Sequence, residues 1–296
     1  MGDRKSYQWV DGGVDISGQF VPVSKPEKLV LVAADGGPIT RRDVVSYYLE
    51  VGEVLLPHLE GRCLTAVRYT RGVEGGGFYI KAAPKDRPDW VSTLPGPGNG
   101  GQAYIHVESS ATLAWLASID AFEMHIPLGR AVHPDLALGV MFDLDPGPGA
   151  DLSTCCQVAL LLNDEVDSPL VYKTSGSKGL QVYQPLPTPL PFSETQRYAK
   201  SLAEGLANRR PELVVATSTK AARDGKVFID WLQNMPSKTT VAPYSLRGRN
   251  PVGVSAPLTV DEVRHMASSG KLVQFSPVDV LRRLRASGDL YAGGPR

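Results

Sequence analysis

Asp143 and Asp145 stand two residues apart where an apolar stretch, residues 138–144, gives way to Pro146-Gly147. In an extended strand, residues i and i+2 share a face. Both carboxylates therefore project together, at most about 7 Å apart along the backbone, while Phe142 and Leu144 point into a core. Two carboxylates this close repel each other, and a bound divalent cation relieves the repulsion. Asp145 also reads as an ordinary turn starter before Pro-Gly. Asp143, inside the apolar stretch, has no such explanation. A third carboxylate, Asp230, ends the run Phe228-Ile229-Asp230-Trp231 and could equally cap the strand end. Three aspartates form an oxygen-rich site suited to Mg²⁺ or Mn²⁺ rather than zinc. Two such ions about 3.5–4 Å apart drive in-line phosphoryl displacement.

The turn 174–179, Thr-Ser-Gly-Ser-Lys-Gly, offers hydroxyls, backbone N–H groups and one ammonium within six residues. It lacks P-loop spacing and leads toward a strand instead of a helix, so a phosphate cradle and an exposed hairpin turn both fit. Arg68, Lys81, Lys238 and Arg247 sit beside aromatic or apolar neighbours. Each alone reads as a solvated charge.

The elements that must position these groups alternate along the chain. Helices are expected from Thr40, with Asp43 completing a capping box, through 113–121, around 155–163, from Ser193 with Gln196 to about 208, and from Thr259 with Glu262. Strands are expected at 77–81, 104–107, 138–144, 169–173, 180–185 and 227–231. Residues 1–25 are polar and turn-rich and read as an N-terminal arm. The pattern is α+β with a central mixed or antiparallel sheet, and no clean linker divides residues 1–296, so one catalytic unit is expected.

Composition narrows the function. The 296 residues carry 31 Lys+Arg and 31 Asp+Glu, which excludes a globally basic nucleic-acid wrapper but leaves local patches. Three cysteines cannot build a disulfide framework or a Cys-rich zinc site, and the five histidines show no metal-ligand spacing. No apolar run suits a membrane span and no secretory signal opens the chain, so a cytoplasmic enzyme without membrane partners is expected.

Taken together, the runs Phe142-Asp143-Leu144-Asp145-Pro146-Gly147, Thr174-Ser175-Gly176-Ser177-Lys178-Gly179-Leu180, Phe228-Ile229-Asp230-Trp231-Leu232-Gln233-Asn234 and Lys238-Thr239-Thr240-Val241-Ala242-Pro243-Tyr244-Ser245-Leu246-Arg247 resemble the polymerase domain of bacterial DNA ligase D. That domain belongs to the archaeo-eukaryotic primase superfamily and serves double-strand break repair by end joining. The resemblance runs from about Lys28 to Leu290 and implies a primase-like catalytic core. It implies that Asp143, Asp145 and Asp230 bind two Mg²⁺ or Mn²⁺ ions. It implies that Ser175, Lys178, Lys81, His125 and Arg247 contact an NTP or dNTP triphosphate, joined by Lys238 and Arg68. Phe78 and Tyr79 match an aromatic pair packing against the template. Lys28 and Arg41 fall where the family binds a recessed 5′-phosphate across a gap or beyond a 3′ overhang. A DNA ligase and an end-binding protein are the implied protein partners, in the bacterial nucleoid.

Three departures accompany the resemblance. Gln181 stands where the family has histidine, replacing a chargeable triphosphate contact with a neutral donor. The loop 92–102 carries no Lys or Arg. The chain has no room for ligase and phosphoesterase domains and no K-x-D-G motif, as expected of a stand-alone or excised polymerase. Two other readings compete: a haloacid-dehalogenase-type phosphatase, on the D-x-D stretch, and a DNA-end-binding module without catalysis.

Overall fold

The apolar stretch that ends in two aspartates becomes the central strand of the molecule. The structure is a computed structural model that describes residues 7–97, 101–270 and 274–294. In it the strand Leu136–Pro146 buries Val140, Met141, Phe142 and Leu144 almost completely. It pairs antiparallel with Leu180–Pro191 on one side and Val227–Asp230 on the other. Val171–Thr174 and Pro257–Leu258 extend the first side by further antiparallel pairs, and Val214–Val215 closes the opposite edge in parallel. The result is a six-stranded mixed sheet, the α+β arrangement expected from the alternation of signals.

A second, four-stranded antiparallel sheet runs in the order Thr240–Val241, Glu123–Ile126, Thr65–Arg68, Phe78–Ile80. The two sheets are tied where the Lys173 ammonium donates to the Val241 carbonyl at 2.8 Å.

Helix α1 (Arg41–Leu59) starts with the expected capping box, Thr40 with Asp43. Helix α2 (Ser110–Ser118) is buried all round, as an apolar helix must be, and packs against α1. Helices α3 (Leu152–Glu165) and α4 (Phe192–Arg209) lie against the central strand. Helix α5 (Val260–Ser269) uses the Thr259–Glu262 capping box, and α6 (Pro277–Ser287) follows. Such caps are worth about 0.5–2 kcal/mol each. Among the described residues no helix is long and apolar enough to cross a membrane.

Two expectations are corrected. Ser193 and Gln196 do not cap α4. The strand Leu180–Pro191 runs directly into the helix, and Phe192, buried as its first residue, donates its N–H to the Asp135 carbonyl. Burial of the phenyl ring draws the helix start forward of the serine. The described part of the N-terminal arm, from residue 7, forms a three-stranded sheet of Tyr7–Val10, Gly13–Ile16 and Gln19–Pro22. Val14, Ile16 and Val21 alternate on its inner face and pack into the core. Four-residue strands between polar turns are too short to stand out from their composition. The stretch 92–102 contributes the hairpin Thr93–Pro95 with Ala103–Ile105, and its residues 98–100 lie outside the described part.

Candidate active site

Residues directly opposite one another on adjacent strands share a face. The pairing register places Asp143 opposite Asp230 on one side and opposite Gln181 on the other, and Gln181 opposite Lys173. One row across the sheet thus reads Asp230, Asp143, Gln181, Lys173, with Asp145 two residues along from Asp143. Burial raises the Asp143 pKa, and repulsion from Asp145 adds to it; the Lys173 charge and a hydrogen bond from Gln181 pull it back. Asp145 is likewise raised, by burial and then by Asp230. Desolvation drives the buried Lys173 ammonium below the usual lysine range, against the attraction of Asp143. Its protons are shared among Gln181 Oε1, the Val241 carbonyl and Ser255 Oγ.

Asp230 is turned to the strand end. Its carboxylate accepts from the Leu232 N–H at 3.0 Å and from Gln233 Nε2 at 3.2 Å, capping the short helix Trp231–Gln233. Among the described residues no three acidic, His or Cys side chains converge into a preformed ion cage. The donor set nevertheless fits a hard divalent cation. Asp143 and Asp145 offer carboxylate oxygens whose mutual repulsion a cation would relieve, and Asp230 would join them by releasing its cap.

Facing the carboxylates is the turn 174–179. Ser175 Oγ accepts from the N–H groups of Ser177 and Gly179 at 3.3 and 3.1 Å, which curls the backbone into a tight turn. Gly176 (φ 69°) is obligatory there, since a Cβ would lie 2.5 Å from Arg247 Cγ. Arg247 Nη1 donates to the Ser175 carbonyl at 3.0 Å. A cavity of about 480 Å³ brings together Asp143, Asp145, Ser175, Lys178, Gln181, His125 and Arg247. A larger cavity, about 750 Å³ between α1 and α6, has no Lys, Arg or His among the described residues that line it.

The remaining expected residues lie outside that cavity. Phe78 and Tyr79 are 50% and 64% exposed, and the Tyr79 ring meets His125 edge-on at 6.1 Å. Lys81 follows them on the surface and Lys238 is also exposed. Arg68 is tethered by its Nε to the Ile119 carbonyl at 2.7 Å. Lys28 and Arg41 converge on one carboxylate, Asp120, at 2.6 and 2.8 Å. The Lys28 side chain is 31% exposed, whereas that of Arg41 is 8% exposed behind it.

Sequence reasoning missed three charged groups here. Arg223 borders the cavity and lowers the pKa of Asp145. Lys173 is buried in the row described above. Glu123, buried on the strand Glu123–Ile126, receives hydrogen bonds from Tyr69, His125 and Gly248. The available signal for the last two was a charged residue in or ending an apolar stretch, the anomaly that singled out Asp143.

Comparison with known proteins follows the same geometry. A family described as "LigD, primase-polymerase domain" matches residues 40–291. The chain is 40% identical over 286 residues to the multifunctional end-joining DNA repair protein LigD of Mycobacterium tuberculosis, covering 93% of this chain and 37% of that protein. It is 37% identical over 278 residues to the LigD of Mycolicibacterium smegmatis, 92% of this chain and 36% of that one. The bifunctional LigD of Bacillus subtilis is 33% identical over 253 residues, 84% and 40% respectively. The chain thus spans little more than a third of the length of the curated relatives it matches. The solved polymerase domain of Mycobacterium tuberculosis ligase D, in complex with DNA, superposes with a TM-score of 0.83 at 37% identity, covering 92% of this chain and 97% of that one. These matches extend across both sheets and leave no room for the dehalogenase reading of Asp143 and Asp145. The chain belongs to the LigD primase-polymerase domain family, a family of metal-dependent nucleotidyltransferases.

Proposed function

We propose that the chain is a template-directed nucleotidyltransferase that fills gaps or extends ends during double-strand break repair. One observation supports this reading: the carboxylates Asp143 and Asp145 line one cavity with the polar and basic side chains of Ser175, Lys178, His125 and Arg247. That opposition suits a nucleoside triphosphate, whose tail the basic wall holds while its α-phosphorus faces the acidic wall. The reaction joins the primer 3′-oxygen to the α-phosphorus and breaks the bond to the departing pyrophosphate.

Asp143, Asp145 and Asp230 would hold two Mg²⁺ or Mn²⁺ ions. The chemistry such ions supply is activation of the 3′-hydroxyl and neutralisation of the leaving group. The chain's own residues do the rest. The Ser175 hydroxyl, which accepts within its own turn, has its proton to donate to a phosphate oxygen, Lys178 adds an exposed ammonium, and Arg247 is held by its bond to the Ser175 carbonyl. Lys81, Lys238 and Arg68 form a basic margin for the nucleotide and strand.

The exposed Phe78 and Tyr79 offer stacking faces for an unpaired template base. Lys28 takes the recessed 5′-phosphate, with Arg41 holding Asp120 beneath it. The partners on this reading are DNA with gaps or 3′ overhangs, an NTP or dNTP, a DNA ligase and an end-binding protein. A primer-extension assay on a gapped, 5′-phosphorylated duplex with Mn²⁺ tests the proposal. Templated addition supports it, and DNA binding without any addition would favour the non-catalytic end-binding module.

A further inference from the structure

We infer that Glu123 is the positioning residue for the nucleotide pocket: one buried carboxylate that fixes the orientation of both His125 and Arg247. The inference deepens the proposed function and rests on its placement of the triphosphate beside those two side chains.

Glu123 is 5% exposed and sits on the strand Glu123–Ile126. His125, two residues along the same strand, shares its face. The carboxylate meets three hydrogen-bond donors and one cation. On Oε1 these are His125 Nε2 at 2.8 Å and Arg247 Nε at 3.3 Å. On Oε2 they are the Tyr69 hydroxyl at 2.9 Å and the Gly248 N–H at 2.8 Å. The donors come from three separate stretches of chain, so the carboxylate gathers them at one point. Burial alone would raise the Glu123 pKa, but the hydrogen bond from His125, the Arg247 charge and the Gly248 N–H bring it down to about 2. It is therefore an acceptor only, and His125 must carry a proton on Nε2.

The consequences for the pocket are geometric. With its Nε edge held against Glu123 by the ion pair and Nη1 bonded to the Ser175 carbonyl, the Arg247 guanidinium is anchored at two points. With Nε2 spent on Glu123, the His125 ring is fixed in orientation and tautomer. Two cationic or proton-bearing groups that would otherwise swing apart are preorganised before a triphosphate arrives. Glutamine cannot replace this anchor. Whichever way its amide is turned, the NH₂ group confronts either the His125 Nε2–H and the Arg247 cation or the Gly248 N–H.

The test measures single-nucleotide addition on a gapped duplex, with DNA affinity followed by fluorescence anisotropy. Glu123→Gln should raise the nucleotide KM about tenfold, with a smaller change in kcat and DNA affinity held within about twofold. Added to Arg247→Ala, it should cost less than it does alone, because the group it orients is gone. Glu123→Asp keeps the charge but withdraws it by one methylene, and should fall between wild type and Glu123→Gln. If Glu123→Gln does not fold, Glu123→Asp decides by the same KM and DNA readouts. An unchanged KM overturns the inference. So does an equal loss of nucleotide and DNA binding that adds fully in the Arg247→Ala background, since that marks a merely structural carboxylate. If Arg247→Ala and His125→Ala themselves leave the KM unaltered, the nucleotide reading of the cavity fails, and the anchor with it.

Discussion

Lys173 donates its ammonium proton to Gln181 Oε1, and Gln181 stands directly opposite Asp143 in the strand register, where it lowers the Asp143 pKa. The amide carbonyl is thus held by the buried lysine, which leaves the NH₂ as the end that can serve the aspartate. From sequence, Gln181 reads as a neutral substitute for a triphosphate contact. In the folded chain it borders the cavity beside Asp143 and Asp145 but is tied to the acidic row.

That relationship separates two kinetic outcomes. Gln181→Leu removes the donor to Asp143 and leaves the Lys173 ammonium short of one acceptor. The expected effect is a fall in kcat of about tenfold or more with a nucleotide KM changed less than threefold. Steady-state kinetics of single-nucleotide addition check this. A raised KM with kcat preserved would mean that Gln181 serves the triphosphate directly.

End recognition should divide between Lys28 and Arg41 according to burial. Lys28→Ala should abolish the preference for a 5′-phosphorylated gap, a loss of about 1.5–3 kcal/mol at low salt that shrinks as salt rises. Arg41→Ala leaves Asp120 buried with a single partner and should lower the melting temperature more than the phosphate preference. Binding titrations with phosphorylated and unphosphorylated gaps distinguish the two, and equal affinity of the wild type for both DNAs would remove Lys28 from this role.

Acid stability follows from the same buried carboxylates. Glu123 is lowered from 4.5 to about 2, and Asp289, which burial would raise but bonds from His58 and Tyr244 pull down, from 3.8 to about 2. A carboxylate with a depressed folded pKa takes up protons more readily once unfolded. Its contribution is therefore complete above the unfolded pKa and drains away as pH falls toward 2. For Glu123 this is on the order of 3 kcal/mol. Urea midpoints measured from pH 5 to pH 2 should drop steeply in the wild type and less steeply in Glu123→Gln. Parallel curves would show that Glu123 titrates alike in both states.

How much of this was legible in the chain depends on the range of the forces involved. The helix starts at Thr40 and Thr259 and the strand carrying Asp143 were readable because capping boxes and apolar runs act within a few residues. Asp143 was conspicuous as a charge inside such a run. The partners that complete the site were not readable, because register decides them: Gln181 and Lys173 reach Asp143 only through strand pairings separated by a turn and by α3. Glu123 meets Arg247 across 124 positions of sequence. The Ser193 cap failed where local preference lost to burial of Phe192. The N-terminal strands, four residues each between two-residue turns, were too short to show a clear alternation.

The central claim is that Asp143 and Asp145 supply the catalytic wall of a nucleotide-adding site. Its most direct test is templated single-nucleotide addition to a gapped, 5′-phosphorylated duplex in the presence of Mn²⁺, comparing wild type with Asp143→Asn, which keeps the side-chain shape and removes the charge. The wild type should add the nucleotide complementary to the template. Asp143→Asn should lose about a thousandfold or more in rate while DNA affinity changes less than twofold. Addition by Asp143→Asn at the wild-type rate would contradict the account.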